Sequence, residues 1–256
     1  MELIDVNGVP LELQRIAAPD GAQARAPIIF LHEGLGSVAL WRDWPAQVCA
    51  ATGRAGFAYS RRGYGRSAPI HDVRGKGRHR PDYMHKEALE VLPALLQALG
   101  IARPVLLGHS DGGTIALIHA AHHPVAACVA MAPHVIVEDI SVQAIRQARE
   151  DWPLLRERLA RYHDAVEVAF WQWNDIWLDP AFRDFDIRSE CRRIADPVLA
   201  LQGREDAYGT LAQVEQIAPT RGRFEMQVIE QCGHSPHKDQ PALVTGRIAE
   251  FLAGLA

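Results

Sequence analysis

The sequence has few cysteines and no long apolar run. Its four cysteines, Cys49, Cys128, Cys191 and Cys232, are far apart and form no C-x-x-C pair. This spacing fits neither a zinc site nor a disulfide framework, so we expect four reduced, mostly buried thiols and no bound metal. Every apolar run is far shorter than the ~20 residues that a membrane-spanning helix needs. We therefore expect no membrane partner.

A secretory signal and a basic surplus are also missing. The opening residues, MELIDVNGVPLEL, carry Glu2 and Asp5 and show no basic segment followed by an apolar one. The formal net charge is -4, which gives no reason to expect a nucleic-acid partner. We expect a cytoplasmic protein. Its 256 residues, 48% of them hydrophobic, are enough for one large domain with a sizeable core.

Short apolar runs alternate with longer helical patterns along most of the chain. The predicted strands are Pro27–Leu31, Gly56–Ser60, Pro104–Leu107, Ala126–Met131, Pro197–Leu201 and Phe224–Ile229, and the predicted helices are Trp41–Ala50, Asp82–Leu99, Thr114–His122 and Pro241–Leu255. This alternation predicts an α/β fold, a mostly parallel twisted sheet with helices on both faces. Glu2–Val6 and Val9–Arg15, joined by Asn7-Gly8, predict an antiparallel hairpin at the sheet edge.

Residues 135–194 break the alternation. No clean strand pattern occurs there, helix-forming residues dominate, and eight aromatic side chains lie between Trp152 and Phe185. We predict that this segment is a helical cap inserted into an α/β core made of residues 1–134 and 195–256.

The stretch VLLGHSDGG, from Val105 to Gly113, places a serine between a buried strand and a helix. It contains the pattern G-x-S-x-G as Gly108-His109-Ser110-Asp111-Gly112. In a nucleophile elbow the turn is sharp and strained, and glycines stand where a side chain would collide with neighbouring backbone. Because strand, elbow and helix follow in the required order, we predict that Ser110 is a catalytic nucleophile.

A nucleophilic serine needs a base, and the base needs an acid that orients it. Asp206 lies on the loop after a predicted strand, at the sheet edge where active sites of such sheets form. Its neighbour Glu205 is the alternative acid. His234 follows Gly233 on a later loop and is the predicted base, with His237 as its rival.

Acyl transfer also needs an oxyanion hole, which stabilises the transition state. One donor is expected to be the backbone N–H of Asp111, the residue after the nucleophile. The second donor should come from the loop after the first core strand, HEGLGS. Gly34 is our first choice on that loop and Leu35 the second.

These motifs together resemble the α/β-hydrolase fold superfamily over essentially the whole chain. The family's HG loop is matched by His32-Glu33-Gly34, its R-G-x-G-x-S segment by residues 62–67, and its elbow by residues 108–112. The resemblance implies a lid after the sixth core strand, which agrees with the aromatic segment. One position departs, because such families usually have glycine where this chain has Glu33. The HEGLGS loop itself is similar to that of hydrolases associated with bacterial aromatic-acid breakdown.

A serine nucleophile narrows the reaction. Epoxide hydrolases and haloalkane dehalogenases of this fold use an elbow aspartate, so Ser110 argues against both. We expect hydrolysis of a carboxylic ester or thioester of a small, apolar or aromatic acyl substrate through an acyl-enzyme, with no cofactor. The lid tryptophans Trp171, Trp173 and Trp177, and Glu33 near the centre, are the predicted substrate-binding residues.

Several questions stay open from the sequence. The same triad also serves carbon–carbon bond hydrolases, perhydrolases and lyases, and some proteins of this fold only bind ligands. The basic run at 74–80, RGKGRHR, suits either an anionic substrate or a solvated loop. The small-molecule substrate is not identified, and a homodimer is left open.

Overall fold

The structure is a computed structural model that describes residues 1–21, 25–218 and 220–255. Within these residues eight strands form one sheet in the order β1-β2-β4-β3-β5-β6-β7-β8. The strands are β1 (Glu2–Val6), β2 (Val9–Ile16), β3 (Ile28–Leu31), β4 (Gly56–Tyr59), β5 (Val105–His109), β6 (Ala127–Met131), β7 (Val198–Gly203) and β8 (Phe224–Ile229). β1 and β2 pair antiparallel, as does β2 with β4, and every other pair is parallel. The predicted α/β-hydrolase fold class is confirmed.

Helices cover both faces of this sheet. They are α1 (Trp44–Thr52), α2 (Tyr83–Lys86), α3 (Leu92–Leu99), α4 (Asp111–His122), α5 (Asp139–Glu150), α6 (Trp152–Leu159), α7 (Val166–Trp177), α8 (Arg188–Cys191), α9 (Ala212–Glu215), α10 (Pro236–Asp239) and α11 (Pro241–Ala253), with 3-10 turns at Val38–Trp41 and Pro180–Phe182. No helix in the described part of the chain is both long enough and apolar enough to cross a membrane.

The central strands are buried on both faces, as their unbroken apolar sequence requires. In β5, Leu106 packs into the core on one face of the sheet, whereas Val105 and Leu107 pack into the core on the other. All three side chains are fully buried. Burying each one contributes roughly 1.5–3 kcal/mol, so these strands fix the position of the loops that follow them.

Local chemistry explains the element ends. Asn7 and Gly8 both have positive φ, 54° and 78°, as a two-residue hairpin of the I′ type requires. The predicted helix over residues 82–99 is interrupted by a π-helical turn at Glu87–Val91. Pro93 follows that turn and lacks the N–H that a continuous α-helix would use there, which accounts for the wider turn. α4 begins at Asp111, three residues before the predicted start.

Residues 135–194 lie between β6 and β7 and are helical, with one isolated bridge from Ile136 to Asp186. The basic run at 74–80 lies against this segment. Arg74 donates to Asp175 at 2.7 Å and its guanidinium lies 4.1 Å from the ring of Trp171. Two arginines of the run are held in this way, since Arg78 pairs with Asp179 at 2.9 Å. The run is therefore docked on the helical segment.

Candidate active site

Ser110 lies at the turn between β5 and α4, with φ 54° and ψ -121°. This left-handed conformation is strained for a side chain larger than glycine's hydrogen. The turn is held by the Ser110 amide, which donates to the Met131 carbonyl at 2.9 Å. A Cβ at Gly108 or at Gly112 would come under 3.0 Å from backbone atoms, so both positions require glycine. These contacts hold the serine at the carboxyl end of the sheet.

The structure brings His234, and not His237, to the serine. The loop after β8 places His234 Nε2 3.0 Å from Ser110 Oγ, within hydrogen-bond distance. The ring of His237 instead packs against both Trp41 and Trp44, with centroid distances of 4.9 and 5.1 Å. Burial lowers the pKa of His237 well below its ordinary value, so this ring is neutral.

Asp206 is the acid that meets His234. Its carboxylate oxygens lie 2.8 and 2.9 Å from His234 Nδ1. The same carboxylate accepts from the Tyr208 amide at 2.7 Å and from Gln202 Nε2 at 2.8 Å. Burial alone would raise the pKa of Asp206, but the interactions with His234 and then with the Tyr208 amide outweigh it and lower that pKa. Glu205, the alternative acid, has an exposed side chain.

Three backbone amides are available near the serine. No atom of the described residues accepts a hydrogen bond from the amide N–H of Asp111, Gly34 or Leu35. All three residues line the same cavity as Ser110. Trp173 packs so closely on Gly34 that a Cβ there would come under 3.0 Å from its indole. The glycine thus lets an aromatic wall approach this backbone.

Glu33 turns toward a histidine and a lysine. Its Oε2 lies 3.6 Å from His109 Nδ1, and its Oε1 lies 3.4 Å from Lys238 Nζ. Burial opposes ionisation, but the interactions with His109 and then Lys238 hold the pKa of Glu33 well below its ordinary value. The carboxylate that the sequence places beside the oxyanion donors therefore faces the His109 ring and the ammonium group of Lys238.

A cavity of about 210 Å³ contains the serine. It is lined by Glu33, Gly34, Leu35, His109, Ser110, Asp111, His134, Ile145, Trp173, Trp177, Tyr208, His234 and Ser235. Two of the three predicted tryptophans, Trp173 and Trp177, are in this wall. Trp171 is not: its ring packs on Arg74 and its Nε1 donates to Glu167 at 3.2 Å. The structure thus gives Trp171 a place away from the cavity.

His134 is a site residue that the sequence analysis missed. Its Nε2 lies 3.4 Å from Ser110 Oγ, and its ring packs on Trp177 with a centroid distance of 4.8 Å. Burial, and then the charge of His234, lower the pKa of His134 to about 3, so the ring is neutral. The position of His134 just after β6 could have indicated that it lies near Ser110, because the carboxyl ends of neighbouring parallel strands meet at one edge of the sheet.

A sequence profile described as the alpha/beta hydrolase family matches residues 28–247. The chain belongs to this family. It is 26% identical, over 71% of its length and 75% of the relative, to a bifunctional esterase/perhydrolase of Acinetobacter calcoaceticus. It is 22% identical, over 98% and 88%, to an sn-1-specific diacylglycerol lipase of Mus musculus. The crystal structure of an enol-lactonase from Burkholderia xenovorans LB400 superposes with a TM-score of 0.72 at 21% identity, covering 98% of this chain and 99% of that one. The family and these relatives support a hydrolase.

Proposed function

We propose that the protein is a serine hydrolase that cleaves a carboxylic ester or thioester of a small, apolar or aromatic acyl group through an acyl-enzyme. The observation that carries this proposal is the hydrogen-bonded series from Asp206 through His234 to Ser110 Oγ. Its two links measure 2.8 and 3.0 Å. Nucleophile, base and orienting acid in this geometry are the elements of a catalytic triad.

In the proposed mechanism His234 accepts the Ser110 proton at Nε2 while Oγ attacks the acyl carbon. The oxygen of the tetrahedral intermediate accepts hydrogen bonds from the amides of Asp111 and Gly34, with Leu35 as the alternative second donor. His234 then gives its proton to the leaving group as the bond to that group breaks. It later takes a proton from the water that attacks the acyl-enzyme and passes it to Ser110 Oγ as the acyl–oxygen bond breaks, which releases the acid and restores the serine. Asp206 keeps the Nδ1 proton in place and stabilises the imidazolium.

The cavity supports a small acyl group. Its volume of about 210 Å³ lies below the roughly 300–1,000 Å³ of pockets that enclose drug-sized ligands. Trp173, Trp177 and Ile145 give it apolar walls, and all three lie on helices of the 135–194 segment. We therefore propose that residues 135–194 form a cap that shapes the acyl pocket, above a core of residues 1–134 and 195–256.

An ester series tests the proposal. The protein and its Ser110→Ala variant should be assayed with nitrophenyl esters from acetate to decanoate, and with benzoate. We expect turnover that is highest for short or compact acyl groups and is lost in the variant, with an unchanged melting temperature. Turnover that persists in Ser110→Ala would overturn the nucleophile assignment.

The alternative functions give different outcomes in the same experiment. A carbon–carbon bond hydrolase would prefer a vinylogous diketone over every ester, and a perhydrolase would form peracid when hydrogen peroxide competes with water. The relative named as an esterase/perhydrolase makes the peroxide arm worthwhile. A protein that only binds ligands would turn over none of these compounds.

A further inference from the structure

The carboxylate of Glu33 reaches His109, the elbow residue next to the nucleophile. We propose that Glu33 and the buried His109 form an ion pair that fixes the loop carrying His234, which makes Glu33 a positioning residue for hydrolysis. This inference rests on the proposed function, because it assigns a role to the pair in that reaction.

His109 makes a hydrogen bond with the loop that carries His234. Its Nε2 lies 2.6 Å from the backbone carbonyl oxygen of His234. A carbonyl oxygen only accepts, so Nε2 carries a proton and donates it. The bond ties the main chain of the base to the strand β5 that also carries the nucleophile turn.

The other nitrogen of the same ring faces Glu33. His109 Nδ1 lies 3.6 Å from Glu33 Oε2 and has no hydrogen-bond partner among the described residues. With Nε2 already protonated, a neutral ring would present its Nδ1 lone pair to a carboxylate. A second proton on Nδ1 removes that repulsion and makes His109 an imidazolium paired with Glu33.

The groups that surround the His109 ring determine whether it can carry a charge. The His109 side chain is 1% exposed, and a buried charge requires a partner of opposite sign. The rings of His237 and His234 lie 4.8 and 5.2 Å from it, and Glu33 is the acid that faces it. Lys238 lies at the outer side of the same carboxylate, at 3.4 Å.

This arrangement gives Glu33 an effect on catalysis. It keeps His109 protonated and correctly oriented, so the His234 carbonyl stays anchored while the His234 ring exchanges a proton with Ser110. This effect does not require Glu33 to touch the substrate.

A double-mutant cycle tests the coupling. We expect Glu33→Gln and His109→Gln each to lower kcat by about 10- to 100-fold with little change in KM, as small misplacements of catalytic groups do. Because Glu33 acts through His109, the double variant should be no slower than His109→Gln alone. Glu33→Asp keeps the charge and should recover part of kcat.

A matched control comes from Glu190, another partly buried acid that lies beside histidine. Glu190 lies 3.1 Å from both His85 and His122, on the helical segment away from the serine cavity. Glu190→Gln should leave kcat unchanged. The melting temperature of each variant separates a loss of positioning from a loss of folding.

The nitrogen NMR signals of the His109 ring test the ion pair without any substrate. We expect an imidazolium in the substrate-free protein and a neutral ring in Glu33→Gln. A neutral ring in the unmodified protein, additive losses in the cycle, or a Glu33→Gln effect confined to KM would each overturn the inference while leaving an esterase intact. A protein that hydrolyses no ester and does not react with a fluorophosphonate would instead overturn the proposed function, and the positioning role with it.

Discussion

Two histidines face the oxygen of Ser110, and only one has a carboxylate behind it. His234 Nε2 lies 3.0 Å from Oγ, and its Nδ1 faces Asp206 at 2.8 Å. His134 Nε2 lies 3.4 Å from the same oxygen, but its Nδ1 has no partner among the described residues. The two rings are 5.6 Å apart, centre to centre.

This difference explains why we assign the role of base to His234 and not to His134. A ring can hold a transferred proton only where the cation is stabilised, and Asp206 provides that stabilisation for His234. His134 is fully buried, and no acid among the described residues is bonded to its Nδ1. Its pKa of about 3 reflects the cost of charging the ring there. Proximity to the nucleophile is thus insufficient without the charge behind the ring.

The largest expected effect is the loss of the base itself. His234→Ala should lower kcat by about 10⁶-fold, because the loss of one member of a triad removes most of the catalysis that the group provides. The measurement is steady-state hydrolysis of a nitrophenyl ester. Activity retained in His234→Ala and lost in His134→Ala would reverse the two roles.

The next effect tests the carboxylate. Asp206→Asn should lower kcat by about 10⁴-fold, since the amide no longer favours the required tautomer and cannot stabilise an imidazolium. Glu205→Gln is the matched control, with an exposed side chain on the same loop, and should keep kcat within about twofold. A large loss in the control and none in Asp206→Asn would make Glu205 the acid.

A smaller effect is expected for the second histidine. His134→Gln keeps a polar side chain beside Ser110 and should change kcat by less than about tenfold, because no proton is routed through this ring. The check is kcat and KM for the same ester. A loss comparable with that of His234→Ala would show that His134 takes part in proton transfer.

The smallest effect concerns stability. His134 has a folded pKa of about 3, below its unfolded value of about 6.5, so the unfolded chain binds the proton first as the pH falls. The stability that the neutral His134 ring contributes is therefore present above about pH 6.5 and is lost progressively as the pH falls below that value. The free energy of unfolding decreases accordingly. Between pH 7 and pH 5 the free energy of unfolding should fall by about 2 kcal/mol more in the unmodified protein than in the His134→Gln variant, as measured by urea denaturation. Equal losses would contradict the assigned neutral state.

Local patterns in the sequence predicted the sheet and the elbow because those features depend on neighbours in the chain. The apolar run of β5 and the glycines around Ser110 carry their own steric requirements. The order of serine, acid and histidine then identified Asp206 and His234 as the expected pair, and their side chains lie in contact in the structure. Their catalytic roles remain proposals that the variants above test.

The sequence could not show features that depend on distant parts of the chain meeting. His134 and Tyr208 reach the site from separate loops, and no short motif marks either residue. The orientation of α7 about its own axis places Trp173 and Trp177 at the cavity and Trp171 against Arg74. The partner of Glu33 lies 76 positions away at His109, a pairing that only the parallel arrangement of β3 and β5 creates.

The most direct test of the account is the intact-protein mass after exposure to a fluorophosphonate. We expect one adduct on the unmodified protein and none on Ser110→Ala. The reaction should be greatly slowed in His234→Ala and almost unchanged in His134→Gln. An unmodified protein that forms no adduct, or an adduct that persists in Ser110→Ala, would contradict the claim that Asp206 and His234 activate this serine.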